Sequence, residues 1–183
     1  MARVLVPLAN GCEELEAVTI IDLLRRAGID VVTAGLTDGL VTASRGVVLL
    51  PDSTLDQVLG DEFDMIVLPG GLPGADNLDA DPRIHTLLQR MAEQDRYTAA
   101  ICAAPKVLMN AGLLDGRKAT AYPGLIDGQL AASSQLSGDA VVTDGRVVTS
   151  RGPGTAMDFA LTLIELLLGS DQRRAVEEPL VRA

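Results

Sequence analysis

Thr98-Ala99-Ala100-Ile101-Cys102-Ala103-Ala104-Pro105 decides how the rest of the chain is read. A run of small and apolar residues ends there in a thiol. Pro105 marks a helix start, because proline suits the first helical turn and not the interior. The stretch therefore reads as a strand that stops where a helix begins, with Cys102 at the sheet's carboxyl edge. Such a place sets the first helical N–H groups and the positive end of the helix dipole beside the sulfur, which predicts a thiol that ionises more easily than a free one. Free cysteine is also common core filler, and this stretch alone leaves both readings open.

Outward from that turn, strand and helix signals alternate. Val4 to Leu8 is a short apolar run, broken by Asn10-Gly11 before an amphipathic segment from about Glu13 to Arg26 that Gly28 closes. Asp30 to Ala34 repeats the strand signal, making the opening a βαβ unit whose parallel strands are buried on both faces. Val41, Thr42, Val47 and Val48 around Gly46 predict a small strand pair. Asp64 to Leu68 is a second buried strand, running into the turn Pro69-Gly70-Gly71-Leu72-Pro73-Gly74. Asp81-Pro82 opens a helix to about Asp95, Ala103 opens another to about Asn110, and Lys118 to Ala121 is a further strand. Ala140 to Thr143 and Arg146 to Thr149 form a hairpin about Asp144-Gly145, and a strongly apolar helix from about Ala156 to Leu168 precedes a polar tail. With no repeat, low-complexity block or linker, residues 1–183 read as one α/β domain, a sandwich with a mostly parallel central sheet.

Composition removes several functions. A net charge of −10 and a pI near 4.4 oppose a nucleic-acid surface, and 2% aromatic residues cannot supply base-stacking platforms. The apolar runs are too short for a bilayer, so no membrane partner is expected. Two cysteines are too few for a disulfide framework, and Met1 runs straight into Val4-Leu5-Val6 without a cleavable leader. A reducing cytoplasm is the expected location.

In open α/β sheets ligands bind beyond the carboxyl ends of the strands. Gly11, Cys12, Glu13, Glu14 and Glu16 follow the first strand, Gly70-Gly71 the Met65 strand, Cys102 the Ile101 strand, and Gly152-Pro153-Gly154 the hairpin; these are expected to converge. Gly71 and Ala103 then offer backbone N–H groups for an oxyanion hole. The single histidine, His85, falls inside the Asp81 helix, which removes Ser-His-Asp and Cys-His catalysis and histidine-rich metal sites. Cys12 with Cys102 lacks paired zinc spacing, and no GxGxxG or GKS/GKT follows the first strand, so no metal, nucleotide or other cofactor is expected. A carboxylate is left as the thiol's partner. Glu13 and Glu14 fit dipole compensation in a first helical turn. Glu16, with Leu15, Val18 and Thr19 around it and small Ala17 beside it, reads as a partly buried carboxyl facing the strand ends, protonated and able to donate to a thiolate or shuttle protons. Arg45 and Arg151 are open to an anion site, an intersubunit salt bridge or ordinary surface pairing.

Four segments, Gly11-Cys12-Glu13-Glu14-Leu15-Glu16, Leu68-Pro69-Gly70-Gly71, Ala100-Ile101-Cys102-Ala103-Ala104-Pro105 and Ser150-Arg151-Gly152-Pro153-Gly154-Thr155, occur in the order seen in the ThiJ/PfpI superfamily. The chain resembles that superfamily over nearly its whole length, and looks closest to the branch of the human Parkinson-disease protein deglycase and its short bacterial homologues. The resemblance implies a flavodoxin-like three-layer sandwich, a homodimer, a reactive Cys102, a protonated Glu16 touching its sulfur, backbone donors at Gly71 and Ala103, and activity on methylglyoxal or its early adducts. Two departures accompany it. The peptidase branch has a histidine directly after its nucleophile, where this chain has Ala103, so protease activity is not expected. The human branch has a His-Pro step near the cysteine, where this chain has Tyr122-Pro123; Tyr122 offers a hydrogen-bonding group but no base near neutral pH. Cys12 stands where a small inert residue is expected and is a candidate resolving thiol, while Arg45, Gly152 and Pro153 are candidate binding residues. Three functions follow. The first is a glutathione-independent glyoxalase or protein deglycase, turning methylglyoxal into lactate and taking small aldehydes or glycated adducts as substrates. The second is an oxidative-stress sensor or redox-regulated chaperone whose Cys102 becomes a sulfinic acid. The third is a non-catalytic α/β binding module.

Overall fold

The computed structural model describes residues 1–130 and 132–182. β1 (Arg3–Leu8) leads through α1 (Glu14–Arg26) to β2 (Asp30–Gly35); β3 (Val41–Thr42), β4 (Val48–Leu49), β5 (Ser53–Thr54), α2 (Leu55–Val58) and β6 (Met65–Leu68) follow. Then come α3 (Leu72–Ala80), α4 (Pro82–Glu93), β7 (Tyr97–Ile101), α5 (Pro105–Asn110) and β8 (Lys118–Ala119). β9 (Gln135–Leu136), β10 (Val141–Asp144), β11 (Val147–Ser150), α6 (Ala156–Leu168) and α7 (Ser170–Glu177) follow in turn.

Seven strands form the central sheet in the order β10-β11-β7-β6-β1-β2-β5, and only β10 runs antiparallel to its neighbour. A parallel strand covered on both faces has no solvent side, which is why Met65-Ile66-Val67-Leu68 is apolar at every position and buried throughout. α1 packs on α6, and α6 on β10 and β11; α4 packs on β6 and β7, α5 on β7, and α3 on α4 and α5. The result is a flavodoxin-like three-layer sandwich with the core on both sides of the sheet.

α1 carries the first site element. The Glu13 carboxylate caps it by accepting the Glu16 N–H at 2.7 Å, and Gly28 beyond its end takes φ +77°, where a side chain would be strained. Glu16, Ala17, Ile20, Leu23 and Leu24 make the buried stripe. Burying each large aliphatic side chain of that stripe contributes about 1.5–3 kcal/mol. Glu16 is therefore buried by helical register with Ile20 and Leu23; Leu15 and Val18, expected to shield it, lie on the opposite, exposed face.

Three other expectations shift. The segment after Gly70-Gly71 is not a simple turn, because Gly71 caps α3 and Pro73 sits in its first turn. The helix after Cys102 starts at Pro105, two residues later than read, with Ala103 and Ala104 still in the turn. In the β10–β11 hairpin Asp144 pairs with Val147, so the two loop residues are Gly145 and Arg146; positive φ at Gly145 alone, +60°, is the type II′ pattern.

The glycines after β6 let three loops close on each other. Gly71 has φ +84°, and a Cβ there would lie 2.5 Å from both Glu13 N and Gly11 O. Gly39 also has positive φ, yet meets nothing within 4 Å. Gly71→Ala is expected to lower stability by more than about 3 kcal/mol, against about 1–2 kcal/mol for Gly39→Ala, in urea denaturation. Equal losses would show that the close approach at Gly71 contributes nothing.

Candidate active site

Cys102 is the first residue beyond β7 and takes φ +63°, a left-handed conformation that costs a residue with a Cβ on the order of 1–3 kcal/mol. Neighbours on both sides hold it there. Its N–H donates to Ser150 O at 2.9 Å, continuing the β7–β11 ladder, and its carbonyl accepts the Tyr122 N–H at 2.8 Å. The strand thus ends in a fixed elbow.

Glu16 is wholly buried. Its Oε2 accepts the Gly70 N–H at 2.8 Å, Oε1 has no hydrogen-bond partner among the described residues, and the Cys102 thiol lies against the carboxyl. Burial pushes the carboxyl up from 4.5 to about 7. Burial likewise, with the Glu16 charge second, pushes the Cys102 thiol up to about 12, while the N–H groups of Gly71 and Ala103, directed at the sulfur, favour its anion. The expected easy ionisation is thereby corrected. α5 begins too late and is too short to outweigh burial and a neighbouring carboxylate. The two acids compete for one charge, and a proton on Glu16 removes the repulsion that opposes the thiolate and turns the carboxyl into a donor.

A cavity of about 380 Å³ opens over the sulfur. Gly71, Cys102 and Ala103 form its buried floor, Leu72, Pro73, Tyr122, Leu125 and Pro153 its sides, and Glu13, Ser44 and Arg45 complete its lining. The Arg45 guanidinium reaches only Ser44 O, at 3.5 Å, and no carboxylate pairs with it among the described residues. Glu14 does more than compensate a dipole: it accepts from Ser44 Oγ at 2.9 Å and Arg45 N at 2.7 Å, strapping that loop to α1. The Tyr122 hydroxyl makes no hydrogen bond among the described residues; its contact with the elbow is through the backbone. Gly152 packs under the Tyr122 ring, where a Cβ would lie 3.4 Å from Cδ2.

Other candidates lie apart. Arg151 donates to Gly138 O at 2.8 Å and does not line the cavity, and His85 of α4 faces Asp79 of α3. Cys12 is buried outside the cavity lining; burial, followed by the Glu14 charge, pushes its thiol up to about 11, and both cysteines are free. No cluster of metal-ligating side chains occurs among the described residues. A larger cavity of about 540 Å³ lies at the amino ends of β7 and β11, but Arg96, Arg117 and Arg146 around it are paired with Asp64, Asp144 and Asp95, and no thiol lines it. Sequence reasoning missed Ser44, Leu72 and Leu125. Ser44 was signalled only by its neighbour Arg45, and Leu125 lies in a stretch with no clear periodicity.

The sequence matches the DJ-1/PfpI family over residues 2–166. It is 43% identical over 180 residues to the Drosophila melanogaster protein dj-1beta, covering 98% of this chain and 96% of that protein. The crystal structure of Drosophila DJ-1beta matches with a TM-score of 0.95, covering 100% of this chain and 98% of that one. The Arabidopsis thaliana DJ-1 homolog B is 42% identical over 98% of this chain, which spans only 41% of the plant protein. The Caenorhabditis elegans glutathione-independent glyoxalase DJR-1.2 is 35% identical, with 100% of this chain and 96% of that protein covered.

Because the Glu16 carboxyl is raised in the folded state, its favourable contribution is complete below its ordinary value of 4.5 and is lost as pH rises through about 7. A shift of this size corresponds to on the order of 3 kcal/mol. The stability of the wild type relative to Glu16→Gln should therefore fall by that amount between about pH 5 and about pH 8 in denaturation titrations. A difference that stays flat would show that Glu16 does not hold its proton.

Proposed function

The chain belongs to the DJ-1/PfpI family, and from the buried contact between Glu16 and Cys102 we propose that it is a cysteine-dependent, glutathione-independent glyoxalase and deglycase for reactive dicarbonyls. That contact carries the reading, because a core-filling cysteine has no need of a buried carboxyl and two backbone N–H groups at its sulfur. The Cys102 sulfur adds to the aldehyde carbon of methylglyoxal as Glu16 gives its proton to the carbonyl oxygen, forming a hemithioacetal. The N–H groups of Gly71 and Ala103, which favour the sulfur anion at rest, donate to that oxygen as charge moves onto it. The Glu16 carboxylate then takes the proton from the former aldehyde carbon and returns it to the adjacent carbon, while the hydroxyl proton on the former aldehyde oxygen passes to the adjacent oxygen, leaving a 2-hydroxy thioester. Water adds, the carbon–sulfur bond breaks, and lactate and the thiol are released. One water is consumed and no electron is exchanged with an outside partner. Early hemithioacetal or hemiaminal adducts on other molecules enter the same path once they release their thiol or amine and regenerate the aldehyde.

Two further parts complete the reading. Leu15, Val18, Val47, Val48 and Leu50 leave an exposed apolar face on α1 and the β3–β4 pair, which supports a homodimer through it. Free thiols support a reducing compartment, and no helix among the described residues is long and apolar enough to cross a membrane. A second reading uses the same atoms: the donors around the sulfur also suit a Cys102 sulfinate in an oxidative-stress sensor or redox-regulated chaperone.

Methylglyoxal turnover, followed as lactate, should vanish in Cys102→Ser and fall by about 100-fold or more in Glu16→Gln. Equal lactate formation by the wild type and Cys102→Ser would remove the glyoxalase reading. Intact mass after mild peroxide tests the second one, which requires selective dioxygenation of Cys102. Val48→Asp should sediment as a monomer where the wild type sediments as a dimer, and an unchanged dimer would place the interface elsewhere.

A further inference from the structure

We propose that Tyr122 makes this cavity select α-oxoaldehydes that carry an aromatic ring, with aryl glyoxals preferred over methylglyoxal. The inference rests on the glyoxalase reading above and adds its substrate class. Tyr122 is the one aromatic residue lining the cavity among the described residues, and its backbone N–H, donating to Cys102 O at 2.8 Å, ties it to the residue that carries the nucleophile. The residue is 49% exposed, with its ring against Gly152. Its hydroxyl takes no part in a hydrogen bond among the described residues, so the ring is held by packing and presents an aromatic surface.

The rest of the lining agrees. Leu72, Pro73, Leu125 and Pro153 bring no polar side-chain group. The two charged residues, Arg45 and Glu13, are of opposite sign, and the Glu13 carboxylate is already occupied by the Glu16 N–H. Net charge at the mouth therefore discriminates little, and shape and apolar contact decide. About 380 Å³ is far more than a three-carbon dicarbonyl fills, and lies in the range of cavities that enclose ring-bearing ligands. With the aldehyde carbon of phenylglyoxal at the Cys102 sulfur, its ring shares the cavity that Tyr122 lines, where aromatic pairs gain from offset or edge-to-face contact. The steps are those of methylglyoxal: one water is added, the proton moves between the two oxidised carbons, and mandelate replaces lactate.

The experiment measures kcat/KM for phenylglyoxal, as mandelate, and for methylglyoxal, as lactate, in the wild type, Tyr122→Phe and Tyr122→Ala, with Cys102→Ser as the blank. The wild type should prefer phenylglyoxal by about tenfold. Tyr122→Phe should keep that ratio, and Tyr122→Ala should bring it to within about threefold of unity through a raised KM for phenylglyoxal. Because the ratio is read within each variant, a general loss of activity or of folded protein leaves it unmoved. A wild-type ratio near one, or the same ratio in Tyr122→Ala, would overturn the proposal while leaving the glyoxalase reading intact. Absence of Cys102-dependent turnover of both aldehydes would overturn both.

Discussion

One charge is shared between two buried acids, and the architecture around the sulfur follows from making that sharing possible. Glu16 and Cys102 come from opposite ends of the first hundred residues, and each alone would be an unfavourable thing to bury. They meet only because Gly70 has no side chain between them. A Cβ there would lie 2.5 Å from Glu16 Oε2 and 2.6 Å from Cys102 Cβ. The Gly70 N–H takes one carboxyl oxygen, and the carboxyl lies against the thiol. No cation enters this pair, so its proton is the only means of settling its charge.

The sheet brings these groups together before any side chain is considered. β1, β6 and β7 are adjacent and parallel, so the residues after Leu8, Leu68 and Ile101 emerge at one edge. β11 on the far side of β7 adds the Ser150 carbonyl that holds the elbow. Short backbone bonds then tie the loops into one body: Glu13 N–H to Gly70 O at 2.9 Å, Ser44 N–H to Cys12 O at 2.8 Å and Gly74 N–H to Gly11 O at 3.1 Å. Backbone bonds of this kind explain why small residues crowd this edge. A side chain at Gly71 or Gly74 would separate the loops whose amides and carbonyls pair.

Much of this was readable from residue types, and the exceptions have physical reasons. The parallel strands, their apolar composition and the elbow at Cys102 follow from local periodicity and proline placement. Glu16 was singled out for the wrong neighbours, since Leu15 and Val18 face outward and register with Ile20 and Leu23 buries it. α3 was invisible because Leu72-Pro73-Gly74 has turn composition, and only the backbone of Cys12, 2.6 Å from a Cβ at Gly74, requires that glycine inside a helix. The direction of the Cys102 shift was misread because a helix dipole is a local feature of sequence, whereas burial and a carboxylate eighty-six positions away are tertiary. Leu72 and Leu125 joined the cavity for the same reason: apolar lining has no motif.

Tyr122 changes what the pair must do in the proposed reaction. No histidine lines the cavity, so the carbon-to-carbon proton transfer of the proposed reaction passes through Glu16. Glu16 must hold its proton for the sulfur to become an anion, and must have lost it to take the proton from the hemithioacetal carbon. A carboxyl in its ordinary range would fail the first demand, and one buried without a donor would fail the second. Burial raising it to about 7, with the Gly70 N–H still stabilising its anion, meets both. At this position the chain presents an aromatic surface beside the sulfur. Tyr122 thus leaves the acid–base chemistry of the proposed reaction to one buried carboxyl and gives the cavity wall to substrate recognition.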